Sequence, residues 1–279
     1  RFFNYASGLT MTAEPFHKLF GAPPRAPESP LEQRHMDLAA SIQLVTEDLV
    51  LHLARSLQAE TGLQNLCLAG GVALNCVANG RLLREGTFKQ IWIQPAAGDA
   101  GSALGAALGF WLRLDKQPRP SIAASGLRDR QRGSYLGPRL NPASTAAALR
   151  ELGAVGRELA DQELLPEVAK LLAAEQVVGW CQGPMEFGPR ALGARSILGD
   201  PRSPSMQRIL NLKVKYRESF RPFAPSVLRE DVAEWFELDT DSPYMLLVAD
   251  VLESRRKPMR ESEQALFGID KLNVPKSEI

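Results

Sequence analysis

The segment from residue 180 to residue 225 most constrains what this chain can fold into, because it concentrates positive charge among glycines, prolines and apolar residues. Between Glu186 and Pro222 it carries eight cations and three acids, a local excess of five positive charges in a chain of net charge +1. Such a density of cations predicts a pocket for phosphate or carboxylate groups. A solvated basic surface is the alternative, but apolar side chains interrupt the run, and a purely solvated face has no need of them. The cations are Arg190, Arg195, Arg202, Arg208, Lys213, Lys215, Arg217 and Arg221.

Length and composition narrow the class of protein. The chain has 279 residues, 44% hydrophobic and 23% charged, which is typical of a globular protein and long enough for two domains. The nearly balanced charge argues against a general nucleic-acid binder. The spacing of Cys67, Cys76 and Cys181 fits neither a disulfide framework nor a zinc site, so we expect reduced, mostly buried thiols in a cytoplasmic protein. No apolar run approaches the ~20 residues of a membrane-spanning helix.

The first part of the chain predicts an irregular stretch and then one long helix. Residues 1–36 lack periodicity, and residues 21–30 are rich in proline, which predicts an extended connection. Asp37 is the expected N-cap of the helix and Gly62 its expected end. The start at Arg1, without Met, leads us to expect a piece of a longer protein. An apolar stripe repeats along the helix at Leu38, Ile42, Val45, Leu49, Leu53 and Leu57.

Two strand-to-helix turns follow. Residues 66–69 predict a buried strand, Gly70 and Gly71 a sharp turn, and residues 72–83 a helix, an arrangement that can bind an anion at the helix N-terminus. Residues 90–94 predict a second strand that leads to Asp99 and an Ala/Gly-rich helix through Leu114. Asp99 either caps that helix or faces a cleft, where it would hold a metal or the hydroxyls of a nucleotide.

Residues 116–133 are rich in Pro, Ser and Arg and predict a linker between two domains, with the boundary near residue 130. Beyond it the pattern predicts an α/β domain. The expected helices cover residues 141–152, 163–176, 206–213 (capped by Ser203 or Ser205) and 232–236. The expected strands cover residues 177–182, 223–227 and 245–251.

Three stretches, residues 68–76, 98–105 and 182–225, together resemble the carbamoyltransferases that modify nodulation factors and antibiotics. The resemblance implies that residues 1–130 form the second half of an actin/Hsp70-like carbamoyl-transfer domain. It implies that residues 131–279 form a YrdC-like α/β domain that makes carbamoyl-adenylate and is incomplete at its C-terminus.

The same resemblance implies a two-step activity. ATP and carbamoyl phosphate are converted into carbamoyl-adenylate with release of pyrophosphate and phosphate, and the carbamoyl group then passes to a hydroxyl of a small acceptor. A divalent metal, Fe²⁺ in the transfer site with Mg²⁺ accompanying ATP, is implied as cofactor. The implied partners are small molecules, without nucleic acid or membrane, and a homodimer is compatible with the resemblance.

The motifs carry roles onto individual residues of this chain. The implied main contacts to phosphate and carbamoyl phosphate are Arg190, Lys215 and Arg221. Asp99 matches the family's metal-binding aspartate. The further implied nucleotide-side and anion contacts are Gly70, Gly71, Asn75, Arg195, Ser196, Lys213 and Arg217.

The sequence also departs from the family pattern. Pro184 lies where the family more often has Arg, and Ser219 where it more often has Pro. The metal-binding H-x-x-x-H pair belongs to the missing first half of the actin-like fold, and the three histidines here, His17, His35 and His52, lack that spacing. We therefore expect these residues to hold neither a complete metal site nor a complete adenylation site.

Two other functions are compatible with the pattern. One is a tRNA-modifying enzyme that makes threonylcarbamoyl-adenylate, since both domain types occur in that pathway. The other is a non-catalytic nucleotide- or RNA-binding module that uses the basic segment as an electrostatic surface, with an affinity that falls steeply as salt rises.

Overall fold

The computed structural model describes residues 2–6, 8, 10–26, 29–119, 129–272 and 274–277. The middle of the expected linker, residues 120–128, lies outside the described residues, as do residues 27 and 28 of the proline-rich connection. The chain divides into two compact units, Arg1–Gln43 and Leu44–Ile279. The expected domain boundary near residue 130 stays a prediction.

The first unit contains a short helix that the sequence did not predict. Helix α1 is Glu14–Leu19, with a proline in its first turn, where the missing N–H costs nothing. Helix α2, Gln33–Thr61, begins four residues before the expected cap. Asp37 instead accepts a hydrogen bond from Gln33 Nε2 at 2.7 Å inside the helix. Gly62 follows the helix with φ +66°, which confirms the predicted end.

Helix α2 buries a different face from the one predicted. Leu51 and Ala54 are its buried residues, and they pack in a cluster with Leu66, Leu82 and Phe88. Five of the six residues of the predicted apolar stripe, Ile42 to Leu57, are exposed. The helix is apolar on two sides, so its spacing alone could not tell which side the structure would cover.

Two parallel strands follow. Strand β1 (Asn65–Leu68) pairs in parallel with β2 (Gln90–Ile93), which confirms both predicted strands to within one or two residues. A 3₁₀ turn, Gly71–Leu74, separates β1 from helix α3, Cys76–Glu85, so that helix begins later than expected. Helix α4, Asp99–Gly109, continues as a π-helical turn, Phe110–Leu114.

The second half begins with helices α5 (Pro142–Glu151) and α6 (Asp161–Ala173), as predicted. Strand β3 (Val178–Cys181) pairs antiparallel with β4 (Arg195–Leu198), a strand that the sequence did not predict. Helix α7, Met206–Ile209, follows Ser205 as its N-cap residue and continues as a π-helical turn, Leu210–Val214. Short helices α8 (Val232–Trp235), α9 (Glu261–Gln264) and α10 (Gly268–Leu272) complete the element order.

The two strands predicted at residues 223–227 and 245–251 do not form among the described residues. Pro222 and Pro225 provide no N–H to a strand ladder in the first case. In the second, Met245 has φ +54°, which interrupts an extended backbone.

Residues from both halves of the second unit share one core cluster. Tyr244 and Leu246 pack with Ala73, Ile93 and Ala97. The buried side chain of Asn79 donates hydrogen bonds to the carbonyls of Ala73 (2.9 Å) and Leu246 (3.0 Å). This unit is therefore a mixed α/β structure in which the segment around residue 245 completes the packing of the first strands.

The cysteine prediction was wrong in one respect. The three thiols are free, but Cys67 and Cys181 are exposed and Cys76 is half-buried. Cys67 is exposed because it alternates with the buried Leu66 along β1. In the described part of the chain, no helix combines the length and the apolar character that crossing a membrane requires.

Candidate active site

The glycine loop after β1 faces open space. Gly70 has φ +96°, a conformation that glycine adopts without strain, and its N–H donates to the carbonyl of Ala97 at 2.9 Å. Nothing lies within 4 Å of the position that a Cβ would take at Gly70 or at Gly71. The side chain of Asn75 is used inside the fold, because its Oδ1 accepts the N–H of Ala78 at 3.1 Å and caps α3.

Asp99 lies exposed at the first position of α4, beside the glycine loop. Gly98, and not Asp99, is the N-cap residue, so the capping interpretation of Asp99 was wrong. The loop before α4 packs against the glycine loop, since a Cβ on Gly98 would lie only 3.5 Å from Leu74 Cδ1. Within the described residues no three His, Cys, Asp or Glu side chains group together as metal ligands. The carboxylate of Asp99 does not by itself make a metal centre.

Arg190 connects the basic segment to the same corner. It lies in the loop between β3 and β4, and its Nη2 donates to the carbonyl of Leu74 at 3.3 Å. In the same loop Gly188 has φ +137°, and a Cβ there would lie 3.4 Å from the carbonyl oxygen of Pro95. Three loops, residues 70–75, 95–99 and 186–194, therefore converge.

Glu186 holds the basic loop in shape. Its buried Oε1 accepts the backbone N–H groups of Leu192 (2.7 Å), Ala194 (2.8 Å) and Arg195 (3.3 Å). Burial alone would raise the pKa of this carboxyl, but the hydrogen bonds from the backbone outweigh it and hold the pKa below its ordinary value. Sequence reasoning counted Glu186 only as one of three acids among the cations.

Arg195 and Ser196 also brace the loop. Nη1 of Arg195 donates to the carbonyls of Gln182 (3.4 Å), Gly183 (3.2 Å) and Ala194 (2.7 Å). The hydroxyl of Ser196 accepts the N–H of Gly193 at 2.9 Å. Their polar groups therefore support the turn that carries Arg190.

Two buried polar atoms, one of Arg190 and one of a neighbouring residue, lack hydrogen-bond partners in the described structure. They are Nε of Arg190 itself and the hydroxyl oxygen of Ser134, and both residues line, together with Tyr244, a cleft too narrow to admit a water molecule. Tyr244 donates its hydroxyl to Asp129 Oδ2 at 2.7 Å, and burial with this hydrogen bond raises the pKa of Tyr244. An unpartnered buried donor is costly unless water or a ligand satisfies it.

The other predicted cations lie after α7. Lys213 and Lys215 are exposed. Arg217 Nε donates to Asn211 Oδ1 at 2.6 Å, and its guanidinium lies 4.9 Å from the centre of the Phe223 ring. Arg221 is half-exposed and pairs through Nε with Glu218 Oε2 at 2.8 Å.

Asn211 organises this second group. It is fully buried, and its Nδ2 donates to the carbonyls of Ser219 (3.0 Å) and Arg221 (2.8 Å). One helical turn earlier, Gln207 Nε2 donates to the carbonyls of Phe220 and Arg221, both at 3.1 Å. Sequence reasoning missed both amides, although their spacing of four residues places them on one side of a helix.

Arg202 is neutralised within the segment. Its guanidinium and backbone N–H bind the buried carboxylate of Asp200, with Nη2 to Oδ2 at 2.6 Å. These contacts lower the pKa of Asp200 to about 2. The number of cations in the segment is therefore larger than the number available to bind a ligand.

Two family models match the chain. The model described as the carbamoyltransferase N-terminus matches residues 1–108, and the model described as the carbamoyltransferase C-terminus matches residues 169–265. The two matches together include the glycine loop, Asp99 and the whole basic segment.

Several curated proteins are similar in sequence. An uncharacterised protein of Synechocystis sp. is 59% identical over 283 residues, which cover 100% of this chain and 45% of that protein. Nodulation protein NolNO of Sinorhizobium fredii is 45% identical over 81% of this chain and 33% of its own length. Nodulation protein NolO of Bradyrhizobium diazoefficiens is also 45% identical, over 81% of this chain and 40% of its own length. The chain thus spans less than half the length of these relatives.

Proposed function

The chain belongs to the carbamoyltransferase family, and on that premise we propose that it forms part of an ATP-dependent O-carbamoyltransferase. In the proposed first step, water releases phosphate from carbamoyl phosphate, and the resulting carbamate attacks the α-phosphorus of ATP to give carbamoyl-adenylate and pyrophosphate. In the second step, a hydroxyl of a small-molecule acceptor takes the carbamoyl group, and AMP leaves. Two of the three relatives are named nodulation proteins rather than tRNA-modifying enzymes, which favours the small acceptor over tRNA.

The convergence of three loops at Arg190 is the observation that carries this proposal. The loop of the basic segment meets the glycine loop through the hydrogen bond from Arg190 to Leu74, and it approaches Pro95 at Gly188. An open glycine loop beside an arginine suits a reaction between two polyanions, since both must be held together while charge develops on their oxygens.

Arg190 is the residue best placed to contact a phosphate oxygen. One of its donors holds Leu74, while its buried Nε has no partner among the described residues. An oxyanion would satisfy that donor through a charge-assisted hydrogen bond. In this proposal Glu186 positions the arginine, because it fixes the turn that follows.

The cations around Asn211 form the second part of the proposed adenylation site. Lys215 is exposed and forms no ion pair with the described residues, whereas Arg221 pairs with Glu218 and would exchange that partner for an anionic substrate. Lys213 and Arg217 support the same surface. Among the described residues no set of metal ligands forms around Asp99, so we assign no step to a metal.

We also propose the fold arrangement of the family for the whole enzyme, with residues 1–130 in an actin/Hsp70-like part and residues 131–279 in a YrdC-like part. Since the chain spans 45% of the Synechocystis relative, the complete reaction is proposed for a polypeptide of that length. A polypeptide of that length can be made as a chimera, in which this chain replaces the matched 283 residues of the Synechocystis relative.

The test measures carbamoyl phosphate-dependent exchange of labelled pyrophosphate into ATP. We expect the chimera to catalyse this exchange. The 279-residue chain alone should exchange pyrophosphate much more slowly or not at all. Arg190→Ala in the chimera should lower the exchange rate ~10- to 100-fold, the cost of one charge-assisted hydrogen bond. Arg208→Ala, which removes an exposed arginine of the same segment, is the matched control and should leave the rate unchanged.

Exchange that proceeds without carbamoyl phosphate would contradict the proposed first step. Robust exchange by the 279-residue chain would contradict the expectation that its adenylation site is incomplete. Binding of RNA with a steep salt dependence, and no exchange in the chimera, would favour the electrostatic module instead.

A further inference from the structure

The outward face of helix α2 is apolar and uncovered within the second unit. Val45, Leu49, Leu53 and Leu57 repeat every four residues and form one continuous stripe. Their exposed fractions are 51%, 57%, 66% and 44%. Single exposed leucines are ordinary, but a contiguous stripe of four large apolar side chains marks an interaction surface.

The opposite side of the same helix is already packed. Leu51 and Ala54 are buried against Leu66 of β1 and Leu82 of α3. The helix is therefore anchored in the fold and presents its second apolar side outward. A helix that is apolar on both sides belongs in the interior of a larger structure.

The parallel sheet beside α2 is uncovered in the same way. Leu66 and Ile93 are buried on one face of the sheet. On the other face, Cys67 and Trp92 are register partners, and both are exposed. Parallel sheets are normally covered on both faces, so this face also lacks a layer.

We propose that the outward face of α2 is the docking surface for a further part of the same, longer polypeptide. The length of the relatives supports this occupant. The 283 residues matched in the Synechocystis relative are 45% of that protein, so more than half of its length is available to cover these surfaces. A second copy that covered the helix and the sheet face would have to pay the entropic cost of association. A tethered segment can cover both without the entropic cost of association.

The test compares the chimera with the 279-residue chain. The double variant Leu49→Glu/Leu53→Glu places two charges on the stripe. In the chimera it should lower the urea midpoint of unfolding, because the charges become buried against the docked segment. In the 279-residue chain it should leave the midpoint unchanged and reduce binding of a hydrophobic dye, because the stripe there faces water.

Leu165→Glu is the matched control, since this leucine is 63% exposed and lies on α6, outside the stripe of α2. It should leave both midpoints unchanged. Leu51→Ala on the packed side of α2 should lower both. An unchanged midpoint for the double variant in the chimera would overturn the proposal. So would a dimer of the 279-residue chain that the double variant converts to monomer in sedimentation, because the occupant would then be a second copy.

Discussion

At the scale of single residues, uncharged donors and one carboxylate place the cations that the sequence makes conspicuous. Glu186 gathers three backbone N–H groups of the basic loop, and Asn211 fixes the carbonyls of Ser219 and Arg221. The sequence predicted the cations because charge is visible in composition. It could not predict the residues that position these cations. An acid among cations, such as Glu186, is indistinguishable in sequence from a counter-ion, and an amide in a helix, such as Asn211, from a surface residue.

Glu186→Gln should destabilise the fold by ~1–3 kcal/mol at pH 7, since it weakens three hydrogen bonds to a buried acceptor. The pKa of Glu186 is lowered in the folded protein, so the stabilisation from the ionised carboxylate is present above its unfolded value and is lost as pH falls through the folded value. The difference between the variant and the parent should therefore shrink below pH ~4. Urea unfolding at pH 7 and at pH 3.5 measures it, with the exposed Glu230→Gln as control. An equal difference at both pH values would contradict the role of the charge.

Asn211→Leu should cost more than Gln207→Leu, although both remove an amide from the same side of the helix. Asn211 is fully buried, so its loss leaves two carbonyls and Arg217 Nε without their partner inside the protein. Gln207 is exposed, and water can replace it. We expect ~2–4 kcal/mol for the first and less than ~1 kcal/mol for the second. Thermal unfolding of the two variants measures both, and equal losses would contradict this account.

At the scale of elements, prediction succeeded where the signal was local. Helix α5 begins directly after Asn141, where the predicted helix starts, and the Asn141 side chain accepts the N–H groups of Ala143 and Ser144. Gly62 ends α2 at the predicted position. Prediction failed where contact with another segment of the chain determines the local structure. Strand β4 forms because β3 pairs with it, and residues 223–227 remain irregular because they have no such partner. The buried side of α2 was likewise decided by β1 and α3.

Two glycines of α4 should respond in opposite ways to the same change. A Cβ on Gly101 would lie 2.0 Å from the carbonyl oxygen of Ala96, so Gly101→Ala must displace the turn before the helix. At Gly105 nothing lies within 4 Å, so Gly105→Ala should stabilise the protein by ~0.4–1 kcal/mol through the unfolded chain. Gly101→Ala should destabilise it by more than that amount. Urea unfolding compares the two, and a stabilised Gly101→Ala would show that the loop at residues 95–99 adapts freely.

At the scale of the whole molecule, the sequence suggested two domains joined near residue 130, while the packing joins residues far apart in the chain. Tyr244 and Leu246 lie in one cluster with Ala73 and Ile93. The contact of Arg190 with Leu74 joins the same two regions. No local pattern could reveal these contacts, because they link residues separated by more than one hundred positions and depend on the complete fold.

Because of this shared cluster, Leu246→Ala should destabilise the first strands and the basic segment together, by ~2–5 kcal/mol. Trp92 reports on β2, since its ring lies 6.2 Å from that of Tyr244, and Trp180 reports on β3. Variants that retain only one of these tryptophans should unfold at the same urea concentration, and Leu246→Ala should lower both midpoints equally. The exposed Leu140→Ala is the control and should shift neither. If only the Trp92 transition moved, the chain on the two sides of residue 130 would unfold as separate domains, and the interpretation of the cluster as one cooperative core would be wrong.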